Sequence, residues 1–167
     1  MNSLPPPLGS GKIHFWRIDL RPYAPTWDSG EGARIFGGRW TPKDMAVVHA
    51  ALDPATAILE LAVHKGFRAL DTEPHILTQA TVLDPAQVRV VAADEIPNPY
   101  WLTPAAPSAG QQAFGAALLS SHPFVLLPSV VSRHSWNLIF DPARAAGHYG
   151  GIRQIPFALD PRLHPAQ

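Results

Sequence analysis

The sequence predicts a single α+β domain, on three observations. The chain has 167 residues (18.1 kDa), enough for one ordinary hydrophobic core. Its apolar residues fall into short β-prone runs interrupted by two helical segments. Its 19 prolines in 167 residues, roughly twice average usage, are spread over the whole length and read as stiff turns between short elements.

In chain order, residues 1–11 read as a flexible Pro/Gly-rich leader and 12–167 as the domain. Residues 12–18 (K-I-H-F-W-R-I) predict the first strand, and 19–44, punctuated by prolines and glycines, a long loop. Residues 45–51 predict an apolar strand holding His49. Asp53-Pro54 is a helix start, with aspartate as N-cap and proline at the first helical position; the helix runs to Lys65 and stops before Gly66. Its buried stripe is expected at Ile58, Leu59, Ala62 and Val63. Further strands are expected at 76–83, 87–92, 124–127, 136–140 and 152–159, and a second helix at 110–121.

Composition and motifs exclude several classes. Thirteen basic against thirteen acidic residues leave no net charge, which disfavours a direct nucleic-acid binder or a polybasic membrane-surface protein. Without cysteine there is no disulfide, thiol nucleophile or thiolate-bound zinc. The start lacks the basic-then-apolar order of a secretory signal, and the most apolar stretch, 46–63, is broken by His49, Asp53, Pro54 and Glu60, so the expected location is cytoplasmic. Eight histidines form neither H-x-H nor H-E-x-x-H, and no metal is expected. There is also no P-loop, no G-x-G-x-x-G after a strand and no G-x-S-x-G.

What remains is a set of polar residues in apolar or glycine-rich settings. These are Arg17 after Trp16, Arg39 in G-G-R-W, His49 in V-V-H-A, Glu60 in I-L-E-L, Ser129 after F-V-L-L-P and Asn137 after Trp136. On the residues alone, Arg17 and Glu60 read first as a structural ion pair, since buried charges are usually paired. His49 reads equally as a satisfied core histidine, Ser129 as a strand-ending turn residue, and Asn137 as a support for the Ser129 loop.

The order of these short motifs carries more than any one of them. W-R, G-G-R-W, V-V-H-A, A-I-L-E, L-P-S, W-N-L-I-F-D-P and F-A-L-D-P-R-L together resemble the RES-domain family, the toxin halves of RES–Xre toxin–antitoxin pairs, over residues 15–163. The resemblance implies an ADP-ribosyltransferase-like fold and NAD+ as a consumed substrate. It implies site roles for Arg17, Arg39, Glu60 and Ser129, with His49 where many members carry tyrosine. Two guanidinium forks suit a pyrophosphate. One carboxylate suits the oxocarbenium charge that develops as nicotinamide leaves. Ser129 and Asn137 would help hold the ligand.

The activity so implied is cleavage of the nicotinamide–ribosyl bond, by glycohydrolysis, by phosphorolysis or by ADP-ribosyl transfer to a protein target such as a metabolic enzyme. A RES fold acting only as an inactive binding module is the reading of another class. The resemblance also implies a cognate Xre-type antitoxin that blocks the NAD+ cleft. All of this requires Arg17, Arg39 and Glu60, far apart along the chain, to face one cavity.

Overall fold

The computed structural model describes residues 12–101, 103 and 108–163; the expected leader, 1–11, lies outside the described residues. Strand β1 (Ile13–Leu20) alternates in burial, with Ile13 and Phe15 turned to one core and Ile18 to another. The stretch expected to be one long loop instead carries a 3-10 segment, Arg21–Thr26, and a short helix, α1 (Glu31–Phe36). Helix α1 has no side-chain cap bond, is bracketed by Gly30 and Gly37 in left-handed backbone, and leaves Ile35 and Phe36 exposed. It therefore has neither cap nor apolar stripe to mark it in the sequence.

Strand β2 (Val48–Ala51) is shorter than expected. Helix α2 (Pro54–Lys65) has the expected bounds. Asp53 accepts from the Thr56 amide at 2.7 Å and the Thr56 hydroxyl at 2.6 Å, and the Gly66 amide closes the far end on the Ala62 carbonyl. Its buried face is the expected one only in part: Ile58 and Ala62 pack inward, and Leu59 and Val63 do not. Thr56 and Ala57 are buried and Ile58, Leu61 and Ala62 pack beside them, whereas Leu59 and Val63 face outward. The helix is apolar on more than one side, so periodicity alone does not choose the face.

Helix α3 (Phe67–Thr72), too short to show a period, follows directly. Then come β3 (His75–Val82), β4 (Val88–Val90), α4 (Ala109–Ser121), β5 (Phe124–Pro128), β6 (Trp136–Phe140), α5 (Pro142–Ala145) and β7 (Tyr149–Phe157). Strand β7 starts and ends earlier than expected. As a sheet edge with most residues exposed, it carries little apolar signal.

The seven strands form one mixed sheet in the order β4-β5-β6-β2-β1-β3-β7, with β4 and β5 parallel and every other pair antiparallel. With its several helices this is an α+β domain. Phe15, Trp27, Phe124, Phe140 and Tyr149 fill the core on one face. Alternate residues of β5 and β6, such as Val125, Leu127 and Ile139, pack with Leu119 of α4 on the other. Among the described residues no helix is long and apolar enough to cross a membrane.

One irregularity positions the site. Strands β1 and β3 pair along all eight residues of β1, and β2 and β6 along all four of β2. Between those two blocks, β1 and β2 meet at a single register pair, Trp16 with Ala51. The sheet is nearly split there, and α2 packs over the split against Ile18 and Ala51.

Candidate active site

A cleft of about 170 Å³ opens at this split. Trp16 and Arg17 of β1, His49 of β2, Glu60 and His64 of α2 and Asn137 of β6 line it. Its size is below the roughly 300–1,000 Å³ of pockets that engulf a drug-sized ligand.

Glu60 is brought here by the α2 cap and face, and two neutral donors hold it. The Ser129 hydroxyl donates to Glu60 Oε1 at 2.7 Å and the Asn137 amide Nδ2 donates to the same oxygen at 2.6 Å. Oε2 has no protein hydrogen bond among the described residues. The carboxylate is thus oriented by neutral donors, with no ion pair to a cation among the described residues.

Ser129 sits where β5 ends, in a tight return to β6. Its amide donates to the Ser135 carbonyl at 2.9 Å, and its hydroxyl oxygen accepts from the Ser132 amide at 3.1 Å. It is fully buried and its one hydroxyl proton goes to Glu60. In this arrangement the hydroxyl meets the Glu60 carboxylate, on the side away from the cleft. Asn137 Oδ1 is buried without a partner among the described residues. The amide orientation is nonetheless fixed, because flipping it would set that oxygen against the Glu60 carboxylate.

Arg17 and Glu60 do not form the structural ion pair that the residues alone suggest. Arg17 instead pairs with Asp19, two residues along the same strand, through Nε to both carboxylate oxygens at 3.0 and 3.1 Å and through Nη2 at 2.9 Å. Its Nη1 donates to the His49 carbonyl at 2.8 Å, giving β2 the partner that the interrupted ladder does not supply. Guanidinium has further N–H groups on both Nη atoms, so a ligand can still be held there. Burial raises the Asp19 carboxyl above its ordinary range, opposed by Arg17.

His49 is half-buried on the cleft wall, with its ring end packed near Gly38, where any Cβ would lie 3.5 Å away. Burial, then the charges of Arg17 and His64, push its imidazole down to about 4, against a weaker pull from the Val47 carbonyl. At neutral pH it is an uncharged ring facing the cleft.

Arg39 is not on the cleft wall. Its Nη1 donates to the Trp101 carbonyl at 2.9 Å and the Thr103 carbonyl at 3.3 Å. Burial lowers its pKa and the Glu60 charge opposes this, so acid and guanidinium lie within electrostatic reach. The G-G-R-W loop is pinned to α4: Gln112 donates to the Gly38 carbonyl at 2.9 Å, and the Trp40 backbone lies so close to Gly115 that a Cβ there would stand 2.0 Å from its oxygen. The cavity thus joins Arg17, His49, Glu60 and Asn137, with Ser129 behind and Arg39 beside it.

Sequence reasoning named Trp16 only as the neighbour of Arg17 and passed over Asp19 and His64. The signals were present: Asp19 is two residues from Arg17 on a strand, and His64 is four from Glu60 on a helix, the spacings that share a face.

Comparison with known proteins agrees with this architecture. The sequence profile of the RES domain matches residues 14–160. The chain is 34% identical over 158 residues to a Prs ADP-ribosylating toxin of Sphingobium sp. (strain YBL2), covering 89% of this chain and 95% of that one. It is 27% identical to a Toxin Res of Photorhabdus laumondii, covering 91% and 97%. The fold is similar to a chain in the crystal structure of the M. tuberculosis MbcT–MbcA toxin–antitoxin complex, with TM-score 0.63, 20% identity and coverage of 89% and 85%.

Proposed function

The chain belongs to the RES-domain family, and from that premise we propose that it is a toxin that binds NAD+ at the Glu60 cleft and breaks the nicotinamide–ribosyl bond. The observation that carries this reading is the state of Glu60: a carboxylate on the cleft wall, fixed through one oxygen by Ser129 and Asn137, with the other oxygen unbonded among the described residues. A fixed, unpaired negative charge is what a developing oxocarbenium ribose needs, and preorganised charge costs no reorganisation when the bond breaks. Nicotinamide leaves as a neutral molecule, so no acid is required on the leaving group.

Arg17 and Arg39 supply the positive charge for the diphosphate, with Arg17 on the wall and Arg39 at its side. The neutral His49 ring offers a flat surface for the nicotinamide. The small cleft suits the nicotinamide–ribose end, leaving the adenylate outside, where a partner chain can compete with it. An Xre-type antitoxin is the partner this reading assigns. The name of the Sphingobium relative supports ADP-ribosyl transfer to a protein as the outcome, beside release to water or phosphate.

The test follows NAD+ labelled in its adenylate half. Wild type should consume NAD+ and Glu60→Gln should not, at unchanged fold by circular dichroism. Label on one protein band marks transfer, and label on small molecules marks hydrolysis or phosphorolysis. Intact NAD+ under every condition refutes the reading.

A further inference from the structure

We propose that His64 is the base that takes the proton of an O–H acceptor, water or a hydroxyl, as the nicotinamide–ribosyl bond breaks; this rests on the NAD+ reading above. His64 lines the same cleft as Glu60, one turn along the same helix face. It is exposed, so a proton it takes can pass to solvent.

The neighbouring groups leave this work to it. Glu60 must keep its negative charge opposite the ribose cation, which accepting the proton would cancel. His49 is a weak base, pushed down to about 4 by burial. Arg17, from β1, is a cation engaged with Asp19 and has no lone pair to offer. Strand β6 contributes only the uncharged Asn137 to the cleft. On α2 itself the adjacent cation is Lys65, and the adjoining α3 carries Arg68 and Asp71. His64 is therefore the exposed imidazole on the cleft wall.

The step balances. The bond from ribose C1′ to the pyridinium nitrogen breaks, and its electron pair leaves with neutral nicotinamide. The acceptor oxygen bonds to C1′ and its proton moves to the His64 imidazole, which passes it to water. No redox partner is needed. An acceptor that is already anionic, such as phosphate, bypasses this base.

The experiment measures NAD+ hydrolysis against pH for wild type, His64→Gln and His64→Glu. Wild type should lose kcat on acidification. His64→Gln should lower kcat about 100-fold, leave KM for NAD+ within about threefold and abolish that limb. His64→Glu should restore part of kcat, with its limb displaced to lower pH. Thermal unfolding of all three should agree, since the side chain is exposed. A His64→Gln profile parallel to wild type, or a rise in KM with kcat intact, overturns the base role while leaving the NAD+ reading standing. Absence of NAD+ turnover in wild type overturns both.

Discussion

Removing the Ser129 hydroxyl tests the idea that this residue acts through Glu60. Ser129→Ala leaves a fully buried methyl where the oxygen donated to Glu60 at 2.7 Å and accepted from the Ser132 amide at 3.1 Å. A hydrogen bond to a charged group contributes about 1.5–3 kcal/mol, and the half-exposure of Glu60 places this one near the lower end. The orphaned Ser132 amide adds about 1 kcal/mol, for a total of about 2–3 kcal/mol. In a domain of this size each kcal/mol moves Tm by about 2–4 °C, so a fall of about 5–10 °C is expected. The assay is thermal and urea unfolding of Ser129→Ala, Glu60→Ala and the double variant. The cycle should return a coupling energy of about 1.5 kcal/mol between the two sites. NAD+ turnover by Ser129→Ala should fall in kcat and not in KM, because the carboxylate loses orientation while the cleft keeps its walls. A coupling below about 0.5 kcal/mol refutes the reasoning, since the bond would then do nothing for the placement of Glu60.

Three further outcomes follow from the same coordinates. His49 is held down to about 4 in the folded chain against about 6.5 unfolded, so the unfolded state takes up a proton first as pH falls. Stability is full above about pH 6.5 and declines toward pH 4, by up to about 3 kcal/mol; urea unfolding of His49→Phe should lack that part of the decline. Gly115→Ala should cost at least about 3 kcal/mol in thermal unfolding, because its Cβ would stand 2.0 Å from the Trp40 oxygen, whereas Gly110→Ala, with nothing within 4 Å, should be neutral or stabilise by up to about 1 kcal/mol. Arg17→Gln should destabilise by about 2–4 kcal/mol by stranding Asp19, and adding Asp19→Asn should recover at least about 1 kcal/mol of it.

Much of the fold is legible in the sequence, for identifiable reasons. Helix α2 was readable to the residue because Asp53, Pro54 and Gly66 are local signals whose physics is complete within one turn. Strand β6 was readable because W-N-L-I-F is short, apolar and abruptly ended by Asp141-Pro142. Helices α1 and α3 were not, since six residues are too few for a period. The candidate site was legible as a set of residues and not as a set of bonds. That Glu60 belongs with Ser129 and Asn137, and Arg17 with Asp19, depends on which strands lie beside the split, and no local pattern encodes that. Arg39 shows the same limit: G-G-R-W announces a special loop, but where its guanidinium lands is decided by the Trp101 and Thr103 carbonyls more than sixty residues away.

The Asp53 cap has a consequence for where the acid points. Glu60 stands about two turns beyond it, and each residue of an α-helix advances the azimuth by about 100°. The clasp of Asp53 on Thr56 therefore sets the compass bearing of the acid as well as the helix start. Adding or deleting one residue between them would keep the capped start but swing the carboxylate away from Ser129 and Asn137, taking the packed Leu61 and Ala62 with it.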